Sequence, residues 1–198
     1  MLKRSFDLFF SGLGILVLSP VFCLISFLIF KEDKGPIFFR QERIGKNEIP
    51  FRIYKFRSMF VDAEKRGTQI TIGHRDPRVT SIGYFLRKYK IDELPQLINV
   101  FKGEMSFVGP RPEVPRYVKH YTKDQKKVLT VRPGITDFAS IYFKDESELL
   151  ANASDPESFY INEVLPQKLE LSLKYLQEAS LLIDLKIIFS TFLRIIAK

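Results

Sequence analysis

Residues Leu8–Phe30, LFFSGLGILVLSPVFCLISFLIF, form a run of 23 positions without a charged side chain. At ~1.5 Å per helical residue, that is long enough to cross a hydrocarbon layer of ~30 Å. Its centre holds Ser19-Pro20. Proline removes a backbone donor and its ring crowds the preceding turn, so the helix is expected to break or kink there. Each half would be ~18 Å long, too short to span alone. Both flanks are cationic, with Lys3 and Arg4 before the run and Lys31, Lys34 and Arg40 after it. A spanning helix would send one of these clusters to the non-cytoplasmic side, against the positive-inside tendency. Two arrangements remain open. One is a proline-kinked single pass; the other is a re-entrant helix-break-helix in which the Ser19 hydroxyl supplies a partner to the opened turn. No small-x-small pattern follows the run before Lys31, so a cleaved signal peptide is not expected. Either arrangement makes this a membrane protein.

At the other end, Ser180–Lys198 reads SLLIDLKIIFSTFLRIIAK. Leu181, Leu182, Leu185, Ile188, Phe189, Phe192 and Ile196 recur at helical spacing among charged residues, as in an interfacial amphipathic helix or one packed on a soluble core. Between the two ends, Phe38-Phe39 and Phe51–Tyr54 predict a short strand pair turning at Gly45-Lys46-Asn47. Asp62–Pro77 is polar and reads as a loop. Helices are predicted over Ser81–Tyr89, with Ile82, Phe85 and Leu86 inward, and over Leu94–Val100, ended by Lys102-Gly103. A basic helix is predicted over Val114–Leu129, and another helical run over Tyr160–Ala179, interrupted or started at Pro166. The fold class expected is mainly α with a small β-hairpin, one compact domain beside a membrane segment.

Composition narrows the function. Thirty-one Lys and Arg against 23 Asp and Glu give a net charge of +8 over 198 residues. A basic chain suits phosphates, whether of nucleic acid, an anionic membrane surface or a phosphorylated small molecule. The single Cys, Cys23, excludes a disulfide framework and a four-thiolate zinc site, and His74 and His120 are too few for a His-rich metal site. From Phe143 to Asp184 the sign reverses, with three basic and nine acidic residues; this stretch has no assigned chemistry.

The reactive neighbourhood is Lys90–Gln96, KIDELPQ. Adjacent carboxylates at a helix start face the positive end of its dipole, which favours ionisation. An ionised Asp92 can attack phosphorus while Glu93 holds a divalent cation; the same pattern also serves as a plain N-terminal charge pair. Arg87 and Lys88 lie upstream, and Gly109-Pro110-Arg111-Pro112 downstream. A proline-flanked Arg111 has little backbone freedom and presents a preset fork to a phosphate, and Arg132-Pro133-Gly134 repeats the device. Walker, GxGxxG, HExxH and GxSxG patterns are absent. A nucleic-acid face would use Arg116, Lys119, His120, Lys123, Lys126 and Lys127, which can equally meet anionic headgroups.

Together, Phe51–Met59 (FRIYKFRSM), Asp92–Val100 (DELPQLINV), Gly103–Pro112 (GEMSFVGPRP) and Val131–Thr136 (VRPGIT) resemble the bacterial sugar transferase family, the monotopic phosphoglycosyl transferases. The resemblance runs in order over nearly the whole chain and implies a minimal catalytic form. It implies transfer of a sugar 1-phosphate from a UDP-sugar to a polyprenol phosphate such as undecaprenyl phosphate, releasing UMP and initiating lipid-linked glycan assembly. Asp92 takes the position of the nucleophile that forms a covalent phosphosugar intermediate, and Glu93 the magnesium-associated position. Arg87, Arg111, Arg132, Lys55 and Arg57 take phosphate-binding positions. Ser19 and Pro20 match the break of a re-entrant membrane helix. The organisation implied is a membrane hairpin over 1–34 and a cytosolic catalytic domain over 35–198, with an interfacial helix over 180–198, at the bacterial inner membrane. Partners implied are the two substrates, membrane lipid and Mg²⁺, with no nucleic acid; candidates for a protein partner are a second copy or downstream glycosyltransferases. Asp137–Ile141 and Glu104 depart from the family's pattern, which leaves the sugar open. The alternatives are a non-catalytic membrane adaptor with a basic binding face, and a Mg²⁺-dependent phosphodiesterase needing no lipid acceptor.

Overall fold

A computed structural model describes residues 2–61, 63, 76–143 and 145–196; most of the loop expected over Asp62–Pro77 lies outside them. The chain opens with one 32-residue helix, α1 (Leu2–Asp33), that contains Pro20. The break expected at Ser19-Pro20 is therefore not a break in the helix. Pro20 cannot donate to the carbonyl of Leu16, four residues back, and the Ser19 hydroxyl donates to that same oxygen at 2.8 Å. The lost bond is replaced inside the turn, and the helix continues.

Both ends of α1 rest on the remainder of the chain. Near its start, Lys3 pairs with Asp184, Arg4 donates to the carbonyls of Val100 and Phe101, and buried Asp7 accepts from Ser106 Oγ and Phe107 N, both at 3.1 Å. Near its end, Glu32 accepts from Ser81 N at 2.9 Å and Asp33 pairs with Arg57. Ile25 and Ile29 pack into a cluster with Phe56 and Leu86. Away from these contacts α1 exposes Phe9, Leu13, Leu16, Val17, Leu24 and Phe27. It is long and apolar enough to cross a membrane.

The expected hairpin is present and longer than predicted. β1 (Phe38–Ile44) and β2 (Pro50–Phe56) are antiparallel, with Phe38 opposite Phe56 and Ile44 opposite Pro50. Alternation along β2 puts Phe51, Ile53 and Lys55 on one face, so a lysine ends the row that begins with two buried apolar residues. α2 (Ser81–Lys88) follows as predicted, capped by Thr80, which accepts from Gly83 N at 3.0 Å. Ile82 and Leu86 face the core, but Phe85 is 55% exposed. A 3₁₀ turn over Ile91–Glu93 leads into α3 (Gln96–Lys102), which ends at Gly103 with φ +85°. The parallel pair β3 (Ser106–Val108) and β4 (Gly134–Thr136) closes the centre.

The helix expected over Val114–Leu129 is a correction. Only α4 (Pro115–Val118) is α-helical, followed by a 3₁₀ stretch over Gln125–Thr130. Thr122 and Gln125 exchange side-chain-to-backbone bonds, a reciprocal cap that restarts the chain there. Several of its cations are already answered, Arg116 by Glu157, Lys126 by Glu48 and Lys127 by Asp124. After α5 (Phe138–Tyr142), the acidic stretch forms α6 (Glu146–Ala151), α7 (Pro156–Phe159) and α8 (Leu165–Glu178), the last with Pro166 in its first turn. The final helix, α9 (Leu181–Ile196), buries Asp184 and Ile187 and exposes Leu182, Leu185, Phe189 and Phe192.

One buried side chain sets the register between hairpin and α3. Asn99, fully buried, accepts from Tyr54 N at 2.8 Å and donates to Arg52 O at 3.0 Å and Glu104 Oε2 at 2.7 Å. It replaces a missing third strand at the outer edge of β2. Asn99→Leu is expected to lower stability by about 3 kcal/mol, because it strands backbone groups away from water. A shift in the denaturation midpoint of the detergent-solubilised chain measures this; an unchanged midpoint would show that water reaches that edge.

Candidate active site

The 3₁₀ turn over Ile91–Glu93 is forced out of line with α2 by Lys90, which adopts a left-handed conformation with φ 57°. For a lysine this is a strained state of order 1 kcal/mol, held by the helices on either side. The turn buries Asp92, and among the described residues its Oδ1 has no hydrogen-bond partner. Burial raises the Asp92 pKa, and the adjacent Glu93 charge raises it further; Lys55, Arg87 and Lys90 act in the opposite sense. Ionised Asp92 is thus a desolvated carboxylate with an open oxygen, the state in which a weak nucleophile gains reactivity.

Glu93 is its opposite. Its Oε1 accepts from Lys55 Nζ at 2.7 Å and from Arg111 NH2 at 2.6 Å. Burial alone would raise its pKa, but the charges of Arg111, Lys55 and Lys90 hold the carboxyl well below the usual range. Arg111 is raised in turn, chiefly by Glu93. Burial lowers Lys55, with Glu93 opposing. Two adjacent carboxylates are therefore pushed apart, one open and reactive, the other locked as an anion between cations.

The segment carrying Arg111 is clamped from several directions. Gly134 N donates to Pro110 O at 3.0 Å, Arg111 N to Asp137 Oδ2 at 3.2 Å, Arg43 NH1 to Pro112 O at 3.1 Å, and Ile44 N to Glu113 O at 2.9 Å. The first contact depends on glycine, since a Cβ on Gly134 would lie 2.1 Å from Gly109 N. Asp137 also caps α5 by accepting from Ser140 N at 2.7 Å. Arg43 is half-buried, its desolvation lowers its pKa, and it pairs with Glu113.

Of the residues singled out in the sequence, Asp92, Glu93, Lys55 and Arg111 come together, and Arg87 is near enough for its charge to act on Asp92. Two do not join them. Arg57 is buried with its guanidinium on Asp33 and the Pro36 carbonyl, where it fastens the end of α1. Arg132 is exposed and donates to Gly103 O at 2.7 Å. Ser19 and Pro20 lie in the exposed middle of α1. The sequence reading missed Lys90, Arg43 and Asp137 as site-forming residues. Only Asp137 carried a local signal, the Asp-x-x-Ser spacing of a helix cap.

The donor set bears on a metal. Glu93 Oε1 is shared by two cations, whereas Asp92 Oδ1 is open to a ligand. No group of three or more His, Cys, Asp or Glu among the described residues could hold an ion. A divalent cation here would take its remaining ligands from phosphate oxygens and water, as Mg²⁺ does in phosphoryl-transfer sites.

A model of the family described as Bacterial sugar transferase matches residues 1–198. The chain is 38% identical over 196 residues to UDP-glucose:undecaprenyl-phosphate glucose-1-phosphate transferase of Escherichia coli (strain K12), covering 96% of this chain and 39% of that protein. It is 37% identical over 193 residues to UDP-N-acetylgalactosamine-undecaprenyl-phosphate N-acetylgalactosaminephosphotransferase of Aeromonas hydrophila, covering 96% and 42%. With exopolysaccharide production protein ExoY of Rhizobium meliloti (strain 1021) it shares 34% identity over 205 residues, covering 96% and 84%. The chain therefore spans about two-fifths of the length of the first two relatives and most of the third.

Proposed function

The chain belongs to the bacterial sugar transferase family, and on that premise we propose that it transfers a sugar 1-phosphate from a UDP-sugar to a polyprenol phosphate such as undecaprenyl phosphate, releasing UMP. The observation that carries this reading is the pairing of an open, buried Asp92 oxygen with a Glu93 already neutralised by Lys55 and Arg111. A carboxylate is the nucleophile available, and the cations around it suit a diphosphate.

An Asp92 oxygen attacks the sugar-bearing phosphorus. The bond from that phosphorus to the bridging oxygen breaks, and UMP leaves with the electron pair. An oxygen of the polyprenyl phosphate then attacks the same phosphorus, releasing the Asp92 carboxylate and forming a polyprenyl diphosphate sugar. Glu93 orients Arg111 and Lys55, whose remaining donors face the transferred group; Arg87 and Lys90 contribute positive potential. Mg²⁺, when bound, would neutralise charge on the diphosphate, with the Asp92–Glu93 carboxylates the groups that would hold it.

The same reading places the protein on the cytoplasmic face of a bacterial inner membrane without spanning it. Support comes from α1, whose two ends are tied to one body by Lys3, Arg4 and Asp7 at the start and Glu32 and Asp33 at the end. A helix fastened at both ends to one side can dip into a leaflet but not deliver its ends to opposite faces. The exposed apolar residues of α1 and α9 supply the buried surface, as in a monotopic protein.

The test is UMP release by detergent-solubilised protein with Mg²⁺ and undecaprenyl phosphate across a panel of UDP-sugars. Lipid-dependent release with one or a few sugars is expected and names the donor. A folded preparation that turns over none of them, or that releases free sugar phosphate without lipid, would overturn the reading.

A further inference from the structure

The outer face of α2 has no role in the chemistry above, yet it leads directly into the site. Its inner face is fixed. Ile82 and Leu86 pack into the cluster with Ile25 and Ile29, and Gly83 abuts the Ser58 backbone so closely that a Cβ would lie 2.0 Å from the Ser58 oxygen. Its first turn is held by Glu32 of α1 and by Thr80. The opposite face is therefore presented by a braced helix. Its exposed side carries Phe85, 55% exposed, with Tyr89 just beyond, 39% exposed, and Tyr84 lies a quarter-turn round the helix, 50% exposed. Phe85 and Tyr89 stand one turn apart with ring centroids at 4.9 Å, and Lys88 Nζ lies 5.3 Å from the Tyr89 ring centre. Arg87, Lys88 and Lys90 follow in the same few residues, and Asp92 comes next.

The geometry points to this face as the docking site for the isoprenoid acceptor, with Phe85 and Tyr89 bearing the first isoprene units and Arg87, Lys88 and Lys90 receiving the phosphate. The inference rests on the transferase reading and assigns one of its two substrates a place. An exposed pair of aromatic rings, Phe85 with Tyr89, is unfavourable in water and suits an apolar chain. The adjoining cations complement a phosphomonoester, and their position in the chain between the aromatic face and Asp92 gives the headgroup a path to the nucleophile.

The experiment separates the two half-reactions in the full chain, solubilised in one detergent, with the double variant Phe85→Ala/Tyr89→Ala. Expected are an unchanged UMP burst without acceptor, an unchanged KM for the UDP-sugar, and a KM for undecaprenyl phosphate raised about tenfold or more. Tyr89→Phe should behave as the parent. A raised KM for the UDP-sugar would make the face a nucleotide platform and overturn the assignment. So would an unchanged acceptor KM accompanied by weaker partition into phospholipid vesicles, which would make it a bilayer anchor. A second readout does not depend on turnover: a photoreactive polyprenyl phosphate should label peptides spanning residues 81–90, and undecaprenyl phosphate should suppress the labelling. Labelling elsewhere would also overturn it. Loss of the UMP burst in the parent protein, with that labelling retained, would strike the transferase reading and leave the lipid site standing.

Discussion

Asp92→Asn is expected to reduce UMP release by at least about a thousandfold while the protein stays folded. The carboxamide keeps the shape of the side chain but loses the anionic oxygen that would bond to phosphorus on the proposed reading, and losses of this order follow removal of a nucleophile. Stability should be unchanged or higher, because the substitution removes a buried charge beside Glu93. Asp92→Glu retains the charge but moves it by one methylene, and a misplacement of ~1 Å costs about a hundredfold. The pH profile supplies a second check. The reactive form is the carboxylate, and burial with the neighbouring Glu93 charge raises its pKa. Activity should therefore fall, as pH is lowered, at a pH above the ordinary aspartate range near ~3.9. Release by Asp92→Asn within tenfold of the parent would remove Asp92 from the role of nucleophile, and an acid limb at or below the ordinary value would contradict its environment.

The features that could be read in advance are those whose signal is local. The hairpin follows from Phe38-Phe39 and Phe51–Tyr54 around a Gly-containing turn, α2 from its apolar period, and the last helix from Leu181–Ile196. The adjacent carboxylates were visible as a pair, but their division of labour was not. Glu93 is locked by Lys55, 38 residues earlier, and by Arg111, 18 residues later, and only the packing of β2 and the Pro110–Glu113 segment around the turn brings them there. Arg57 shows the converse case. A basic residue two places from Lys55 reads as a second phosphate ligand, but β2 ends at Phe56 and the end of α1 supplies Asp33 to Arg57 instead. At Pro20 the rule that proline opens a turn held, yet the helix runs on through it, because the residue before it carries a hydroxyl that reaches the orphaned carbonyl. The stretch Val114–Leu129 buries Val114, Tyr117, Val118, Tyr121 and Val128. Most of that spacing is helical, but the reciprocal Thr122–Gln125 cap interrupts the helix. Asn99 and Asp137 hold the site together through backbone groups, a role that no side-chain pattern announces.

Arg111→Met is expected to cost about 2–3 kcal/mol at neutral pH, below the range for breaking a fully buried ion pair because the Arg111 side chain is a third exposed. Arg111 reaches both Glu93 oxygens, at 2.6 and 3.4 Å, and its backbone is held by Asp137 independently of its side chain. The loss should thus come from Glu93, left with Lys55 alone, and not from a collapsed loop. The pH dependence tests this. Glu93 has a folded pKa held below its unfolded value, so its pairing contributes stability above the unfolded pKa, and that contribution is lost as pH falls through the folded one. In Arg111→Met the folded pKa rises, and the deficit relative to the parent should shrink toward acid pH. Asp92 acts in the opposite direction in both proteins: its folded pKa is raised, so it costs stability once ionised and cancels in the comparison to first order. Adding Glu93→Gln to Arg111→Met should recover part of the loss, since the charge left without its main partner is then gone. Glu93→Gln alone should still be harmful because it leaves Lys55 and Arg111 facing one another. Denaturation midpoints of the four proteins at neutral and acid pH close the cycle. A deficit that is constant with pH, or a double variant no better than the sum of the two single ones, would mean that Arg111 stabilises the fold by packing and that Glu93 does not depend on it.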